Sequence, residues 1–325
     1  MRFAIVSTTA LALVAALQDF RLLKLGPKDY RLVTEDAKWA MKRANINFID
    51  YTNQVTNEEL AAYDTQNPQK PLAILPSGSL YSYPKKAFHE STVKALFNLI
   101  SVEKLEQSLT KFSSFYTRYY KSEHGFASAN WLFDQLTQIT SGVPRAVVRK
   151  VHHLGWDQFS IVVQIPGITA AKVILGSHQD STTSDSPETN PAPGADDDGS
   201  GVVTVVEALR VLAPSLRSGS WTPHNTLEFH FYSAEEAGLL GSIDVFSQYA
   251  ASDAKVLAMI QFDETGSSEG SVLNGTEKHF GLMSDYVDKL LNEYLKVIID
   301  TYNDIPYHET SCGYACSDHA SAYER

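Results

Sequence analysis

The second half of the chain alternates β-branched runs with helix-like runs, and this alternation limits the possible folds more than any other feature of the sequence. Two β-rich runs, 146–155 and 159–167, are joined by a short turn and predict an antiparallel hairpin. Strands and helices alternate after it. We predict strands at 171–177, 225–233 and 256–263, and helices at 201–212, 237–250 and 283–299. Apolar residues at helical spacing also predict helices before the hairpin, at 91–100, 102–120 and 129–140. This pattern indicates an α/β fold, a three-layer sandwich whose mixed, mostly parallel central sheet is flanked by helices.

The three later strands each end beside residues that can bind a metal ion. His178 and Asp180 follow the first strand, Glu235 and Glu236 follow the second, and Asp263 follows the third. In open α/β sheets, ligands bind beyond the carboxyl ends of the strands, where loops converge. We therefore expect these five side chains to lie at one edge of the sheet.

Three adjacent aspartates, Asp196 to Asp198, lie in the loop between the strand 171–177 and the helix 201–212. A helix cap with two solvated neighbours is one explanation for them. The other is a multivalent cation that offsets their mutual repulsion. One imidazole and several carboxylates suit zinc, and the excess of carboxylates favours a two-metal site with one bridging aspartate.

The acidic pair after the second strand can divide two tasks. One glutamate of Glu235 and Glu236 would bind a metal ion, while the other would accept a proton from metal-bound water. Asp180, two residues after His178, would orient the imidazole as a carboxylate behind the ligand. Taken singly, each residue also has an ordinary explanation in a core, turn or helix start. Together at the strand ends they favour metal-assisted hydrolysis.

The first residues predict export from the cell. Residues 1–16 contain one arginine, an apolar run and small residues, the layout of a signal peptide, although a buried first strand or helix is the alternative. No later stretch is expected to cross a membrane, so we predict a secreted protein. Residues 17–88 differ in composition from the rest and predict a pro-segment clipped near Lys85 and Lys86, or else a small regulatory subdomain. The predicted catalytic domain is 89–325.

The net charge of the chain limits the classes of partner that it is expected to bind. The formal net charge of −11 disfavours nucleic acid and anionic membranes, and a monomer is the expected state.

The chain has two cysteines, Cys312 and Cys316, which most simply form one local disulfide in an oxidising compartment. A zinc site on two sulfurs is the less favoured alternative. Asn274 begins an N-glycosylation acceptor sequence.

Five stretches in fixed order resemble the secreted fungal leucine aminopeptidases, a family of two-zinc exopeptidases. They are ILGSHQDS, PGADDDGSG, FYSAEEAGLLGS, QFDETG and SCGYACSDHAS. The resemblance runs from about residue 90 to the end, and the preceding segment looks like the family's pro-region. It implies a fold of the zinc-dependent exopeptidase type. It also implies that the substrates are peptides with a free N-terminus, from which a leucine-like N-terminal residue is removed.

The resemblance also implies roles for individual residues. His178 and Asp263 would bind one zinc, Glu236 the other, and Asp197 would bridge the two. Glu235 would be the general base, which accepts a proton from a metal-bound water. That water would attack the scissile carbonyl. The resemblance implies that Asp180 is the carboxylate that orients the imidazole. It also implies that Cys312 and Cys316 form the family's short disulfide beside the substrate pocket.

The chain departs from the family's pattern at its end. The family has a fifth ligand, a histidine some tens of residues beyond the SDHAS motif, whereas this chain ends at Arg325. His319 belongs to the motif itself, and His308 precedes it. The zinc shared by Asp197 and Glu236 would then keep two protein ligands, fewer than the three usual for a catalytic zinc. We expect a C-terminally truncated relative.

The sequence leaves three other functions open. A truncated relative could bind peptide or zinc without turnover or with weak activity. A serine hydrolase is suggested by residues 266–270, which fit G-x-S-x-G, although the motif must lead into a helix and the sequence 271–276 looks extended. A carboxypeptidase on the same metal core would need a basic residue for the substrate carboxylate, and the sequence does not reveal one.

Overall fold

The computed structural model describes residues 19–56, 59–60, 81–183 and 185–325. The chain divides into two compact units, 1–74 and 75–325. The predicted signal peptide, 1–16, lies outside the described residues, as does part of the predicted pro-segment. Secretion and processing of the pro-segment stay predictions.

The described residues of the N-terminal unit include a small antiparallel sheet and a nine-residue helix. Its elements are β1 (Phe20–Gly26), β2 (Asp29–Thr34), α1 (Glu35–Arg43) and β3 (Ile49–Asp50), and the strand order is β2-β1-β3. The side chain of Thr34 caps α1 by accepting the N–H of Ala37 at 3.2 Å. A buried ion pair of 2.7 Å joins Lys38 of α1 to Asp50 of β3, so the helix is tied to the sheet by charge as well as by apolar contacts.

The second unit holds the remaining elements. Its helices are α2 (Glu90–Phe97), α3 (Val102–Phe112), α4 (Glu123–Thr140), α5 (Gly201–Ser218), α6 (Leu240–Ala251), α7 (Ser268–Leu273), α8 (Lys289–Tyr302) and α9 (His319–Tyr323). Its strands are β4 (Val147–His153), β5 (Trp156–Ile165), β6 (Thr169–His178), β7 (Asn225–Tyr232), β8 (Val256–Gln261), β9 (Phe280–Met283) and β10 (Tyr307–Thr310).

A five-stranded mixed sheet forms the centre of this unit, with the order β4-β5-β7-β6-β8. The predicted hairpin is β4 and β5, which pair antiparallel, and β5 pairs antiparallel with β7. Strands β7, β6 and β8 run parallel. The predicted mixed sheet flanked by helices is confirmed, with three of its five strands parallel.

Both faces of the sheet are covered. Phe159, Ile161 and Val163 of β5 point to one face, where they join a core with α4 and α5. The alternate residue Val162 belongs to the opposite core, with Tyr232 of β7 and α6. Burial on both faces explains why β5 reads as a nearly continuous apolar run instead of an alternating one.

Two predicted helices are shorter than their periodicity suggested. The run 102–120 is helical only to Phe112, because Ser113 and Ser114 bond back to the carbonyls of Leu109 and Lys111 and the chain leaves the helix. The run 283–299 becomes helical only at Lys289, after the cap Asp288. The parallel pair β9 and β10 was not predicted.

Helix α5 corrects the expectation that no stretch after the N-terminal residues is apolar enough to cross a membrane. Residues 195–218 are long and apolar enough, by length and composition, to cross a bilayer. The segment is mostly buried, and α5 packs against β6 and β7. Its apolar character is therefore accounted for by the core of the unit.

Candidate active site

The carboxyl ends of the parallel strands bring the predicted side chains to one edge of the sheet. His178 is the last residue of β6 and pairs in register with Tyr232, the last residue of β7. Glu235 and Glu236 follow β7, and Asp263 follows β8. The aspartate run lies between β6 and α5. The topology thus gathers residues that are up to 85 positions apart, from His178 to Asp263.

His178, Asp197 and Asp263 form a cluster whose ligand atoms lie within 4.8 Å of one another. His178 Nε2 lies 3.0 Å from Asp197 Oδ1 and 3.6 Å from Asp263 Oδ1. Two ligands about 2.0 Å from a tetrahedral zinc ion are separated by roughly 3.3 Å, so these donors fit such an ion. The donor set, one imidazole and two carboxylates, also matches the chemistry of zinc.

The charges around His178 favour a cation at this position. Burial opposes protonation of the imidazole, but the carboxylates of Asp263 and Glu235 outweigh it and hold the pKa of His178 well above its usual range. Burial, together with Asp197 and Asp263, raises the pKa of Glu264. A site that attracts a proton this strongly attracts a metal ion for the same electrostatic reason.

Asp180 connects β6 to the loop after β7. Its Oδ1 and Oδ2 accept the backbone N–H groups of Glu235 and Glu236 at 3.0 Å and 3.2 Å. The same Oδ1 lies 3.5 Å from His178 Nδ1, and the Asp180 carbonyl lies 3.2 Å from that nitrogen. Asp180 is fully buried. It therefore contacts the back of the candidate metal ligand and also fixes the position of the acidic pair.

The three adjacent aspartates occupy three different environments. Asp197 faces His178 and is half-exposed. Asp196 Oδ1 accepts the N–H of Gly266 at 2.7 Å. Asp198 is fully buried and accepts four hydrogen bonds. These come from Ser177 Oγ at 2.6 Å and from the backbone N–H groups of His178 at 3.1 Å, Gly201 at 3.0 Å and Glu264 at 3.3 Å.

The helix-cap explanation and the metal explanation therefore apply to different members of the run. Asp198 bonds to the first residue of α5, Gly201, as a cap does. Asp197 presents its carboxylate to the imidazole. In the sequence the three aspartates are equivalent. Only the path of the backbone through the turn gives them different surroundings.

The disulfide loop lies beside the same edge of the sheet. The structure pairs Cys312 with Cys316, as predicted. Asp285 holds the loop by accepting the N–H groups of Cys312 at 3.2 Å and Gly313 at 2.8 Å. Ser317, directly after the disulfide, donates its hydroxyl to Asp263 Oδ2 at 2.5 Å.

Sequence reasoning missed three residues of this site. Asp198 and Ser317 bond to the candidate ligands, and Arg118 bonds to the loops that carry them. The only signals for them were the aspartate run itself and the SCGYACSDHAS stretch. Arg118 had none, because an arginine in an amphipathic run normally lies at the surface.

The serine-hydrolase motif leads into a helix after all, because residues 268–273 form α7 instead of the extended segment that the sequence suggested. Within the described part of the chain, Ser268 makes no hydrogen bond to a histidine. Ser160 does bond to a histidine. Its Oγ lies 2.7 Å from His153 Nε2, and His153 Nδ1 lies 2.7 Å from Asp244 Oδ2. Ser160 is fully buried and inaccessible to substrate. Neither serine forms a nucleophilic site.

Asn274 follows α7 and is exposed, as glycosylation requires. Its modification stays a prediction.

Comparison with known proteins agrees with this geometry. Residues 160–325 match the model of peptidase family M28. The chain is 45% identical to Leucine aminopeptidase 1 of Emericella nidulans over 309 residues, which cover 94% of this chain and 76% of that protein. It is 43% identical to Leucine aminopeptidase 1 of Coccidioides posadasii, over 95% of this chain and 77% of that protein.

A solved structure shares the architecture. The crystal structure of the Legionella pneumophila LapA aminopeptidase superposes with a TM-score of 0.77 and 28% identity, over 96% of this chain and 82% of that one. Sequence and fold thus lead to one assignment, and the chain belongs to peptidase family M28.

Proposed function

We propose that this M28 peptidase is a secreted, two-zinc aminopeptidase that removes leucine-like residues from peptides with a free N-terminus. The enzyme class follows from the family and the relatives, and the chain is a metallo-aminopeptidase of the hydrolase class. The convergence of His178, Asp197 and Asp263 carries the proposal, because their spacing and chemistry fit a zinc ion.

The resemblance to the two-zinc exopeptidases assigns the ligands of the two ions, and the cluster of His178, Asp197 and Asp263 supports the first of them. His178 and Asp263 would hold the first ion, Asp197 would bridge, and Glu236 would hold the second. Zinc, when bound, supplies a Lewis acid that polarises a carbonyl and makes water nucleophilic near neutral pH. The remaining steps belong to side chains of this protein.

Glu235 is the proposed general base. Its backbone is fixed by Asp180, and it is 6% exposed, so it is largely shielded from bulk water. It lies close enough to His178 for its charge to raise the pKa of the imidazole. From there Glu235 would accept a proton from the attacking water and return it to the leaving amine.

The proposed substrate binds through its free α-amine at the carboxylate-rich edge, which favours a cationic group. The apolar side chain of the first residue would lie towards the disulfide loop. The catalytic unit would act as a monomer after removal of the pro-segment. The relatives named Leucine aminopeptidase 1 support the choice of leucine.

The test compares a chromogenic leucyl anilide with its N-acetylated form on the purified catalytic unit. We expect hydrolysis of the free-amine substrate only, loss of activity with a chelator and recovery with added zinc. Hydrolysis that persists after zinc is removed would overturn the metal assignment. A zinc-loaded protein without turnover would instead identify a non-catalytic relative.

A further inference from the structure

Arg118 is a fully buried arginine whose hydrogen bonds go to backbone carbonyls. Its Nε donates to the carbonyl of Gln179 at 2.8 Å, one Nη donates to Gly194 at 2.8 Å, and the other donates to Pro193. A buried charge is costly unless it is hydrogen-bonded or paired. The direction of these bonds therefore needs an explanation.

The three carbonyls belong to the two loops that carry the candidate metal ligands. Gln179 stands between His178 and Asp180, and Ala195 alone separates Pro193-Gly194 from the aspartate run. One guanidinium thus joins the turn after β6 to the turn before α5. Its planar fork of donors suits this task, since a single ammonium group lacks the rigid, spread geometry.

The backbone of the same segment adds to this connection. Ser181 Oγ accepts the N–H of Arg118 at 3.1 Å and donates to the carbonyl of Ala192 at 2.7 Å. Thr117 forms a β-bridge with Ala192. Segment 117–118 therefore lies between the two loops and bonds to both.

Close packing holds the guanidinium in place. The ring of Phe112 lies 4.3 Å from Arg118 Cζ, within the range of a cation–π contact. Gly194 has φ of +48°, and a Cβ there would lie 2.7 Å from an Arg118 nitrogen. The same Cβ would lie 2.4 Å from the carbonyl oxygen of Asp197 and 2.6 Å from Ser181 Cβ, so glycine is required at the point where the two loops and the arginine meet.

The charge of Arg118 also faces the site. Burial lowers its pKa to about 10, and the nearby carboxylates of Asp180, Asp198, Asp197 and Glu236 limit the fall. The side chain therefore stays protonated near neutral pH. A fixed positive charge here reduces the repulsion among the carboxylates before any metal ion binds.

We propose that Arg118 is a positioning residue that sets the spacing of His178 and Asp197 for zinc by joining the loops 179–181 and 192–194. The inference rests on the proposed zinc site. Arg118→Lys keeps the charge and loses most of the bonds to the carbonyls, whereas Arg118→Met loses both. The matched control is Arg217→Lys, since Arg217 also donates to two backbone carbonyls, Ser141 at 2.9 Å and Ile139 at 3.0 Å, at the far end of α5.

The experiment measures zinc affinity by competition with a chromogenic chelator, and the visible spectrum of the cobalt-substituted proteins, after circular dichroism has shown which variants fold. For Arg118→Lys we expect about 10- to 100-fold weaker zinc binding and an altered cobalt spectrum. Arg217→Lys should match the wild type in both. If Arg118→Met does not fold, the lysine variant alone decides the question.

A folded Arg118→Lys protein with wild-type zinc affinity and cobalt spectrum would overturn the inference, and so would a wild-type protein that binds no zinc. Leucyl anilide hydrolysis by the wild type is measured separately. Weakened zinc binding in the variant together with an inactive wild type would support the role of Arg118 and refute the proposed function.

Discussion

Asp180 Oδ1 accepts the backbone N–H of Glu235 at 3.0 Å, across 55 positions of sequence. The bond connects the residue behind a candidate metal ligand to the candidate general base. Because the same carboxylate also lies beside His178 Nδ1, one side chain couples the position of the imidazole to the position of the base. Such outer contacts tune the affinity and activity of metal sites.

The variant Asp180→Asn tests this coupling. The amide keeps one acceptor oxygen, so one backbone N–H of Glu235 or Glu236 loses its partner, and the negative charge beside His178 is removed. We expect kcat/KM to fall by about 10- to 100-fold and zinc affinity to weaken. The exposed Asp185, changed to Asn, provides the control. An Asp180→Asn protein with wild-type kinetics would show that the carboxylate has no part in the site.

Replacing Glu235 by Gln separates catalysis from metal binding. The amide cannot accept a proton, so we expect kcat to fall by roughly 10²- to 10⁴-fold. Zinc content should stay at the wild-type level, because Glu235 is not a proposed ligand. The control is Glu269→Gln, at an exposed position on α7. Loss of zinc together with activity would instead make Glu235 a ligand.

The sequence predicted the convergence of the site because it depends on topology. Parallel strands that end at His178 and just before Asp263 place those residues at one edge of the sheet, independently of the conformation of the loops. The division of the aspartate run could not be predicted in this way. Asp197 and Asp198 are the same residue type, and the contacts that bury Asp198 and leave Asp197 half-exposed, such as that of Ser177 with Asp198, form only in the folded chain.

The end of α3 shows a second limit. Periodicity continues past Phe112, yet the chain leaves the helix so that Thr117 and Arg118 reach the site loops. Tertiary contacts here outweigh helix propensity, which amounts to only a few tenths of a kcal/mol per residue. No local pattern identifies a buried arginine in advance.

Asp198→Asn is expected to destabilise the site edge without removing a metal ligand. Its four donors include three backbone N–H groups, and an amide nitrogen in place of either oxygen faces at least one of them. Leaving a buried donor without an acceptor costs about 1–3 kcal/mol, so the free energy of unfolding should fall by that amount. Urea unfolding of the zinc-free protein measures it. An unchanged midpoint and slope would show that the turn adapts to the amide.

Glu228, in the core beneath α6, is expected to govern part of the acid stability. Its Oε1 accepts from Lys172 at 2.5 Å and Gln164 at 3.0 Å, and its Oε2 accepts from Tyr249 at 2.7 Å and lies 3.0 Å from His230 Nε2. Burial disfavours the carboxylate, but these partners outweigh it and lower the pKa of Glu228 to about 2 from the ordinary 4.5.

The sign of the effect follows from the lower pKa in the folded state. The unfolded chain takes up the proton first, so the stabilisation is fully present above about pH 4.5 and is lost as the pH falls towards 2. A shift of this size corresponds to a contribution on the order of 3 kcal/mol. In Glu228→Gln the contribution is absent at every pH. The variant should therefore be less stable than the wild type at pH 7, and the difference should shrink below pH 4.5.

The measurement is the urea midpoint of both proteins at several values between pH 7 and pH 2.5, with the exposed Glu188→Gln as a control that should follow the wild type. Since many carboxylates titrate in this range, the difference between variant and wild type carries the information, and the absolute stability does not. A constant difference across the range would mean that the lost packing of the buried network, and not the charge on Glu228, is what the substitution removes.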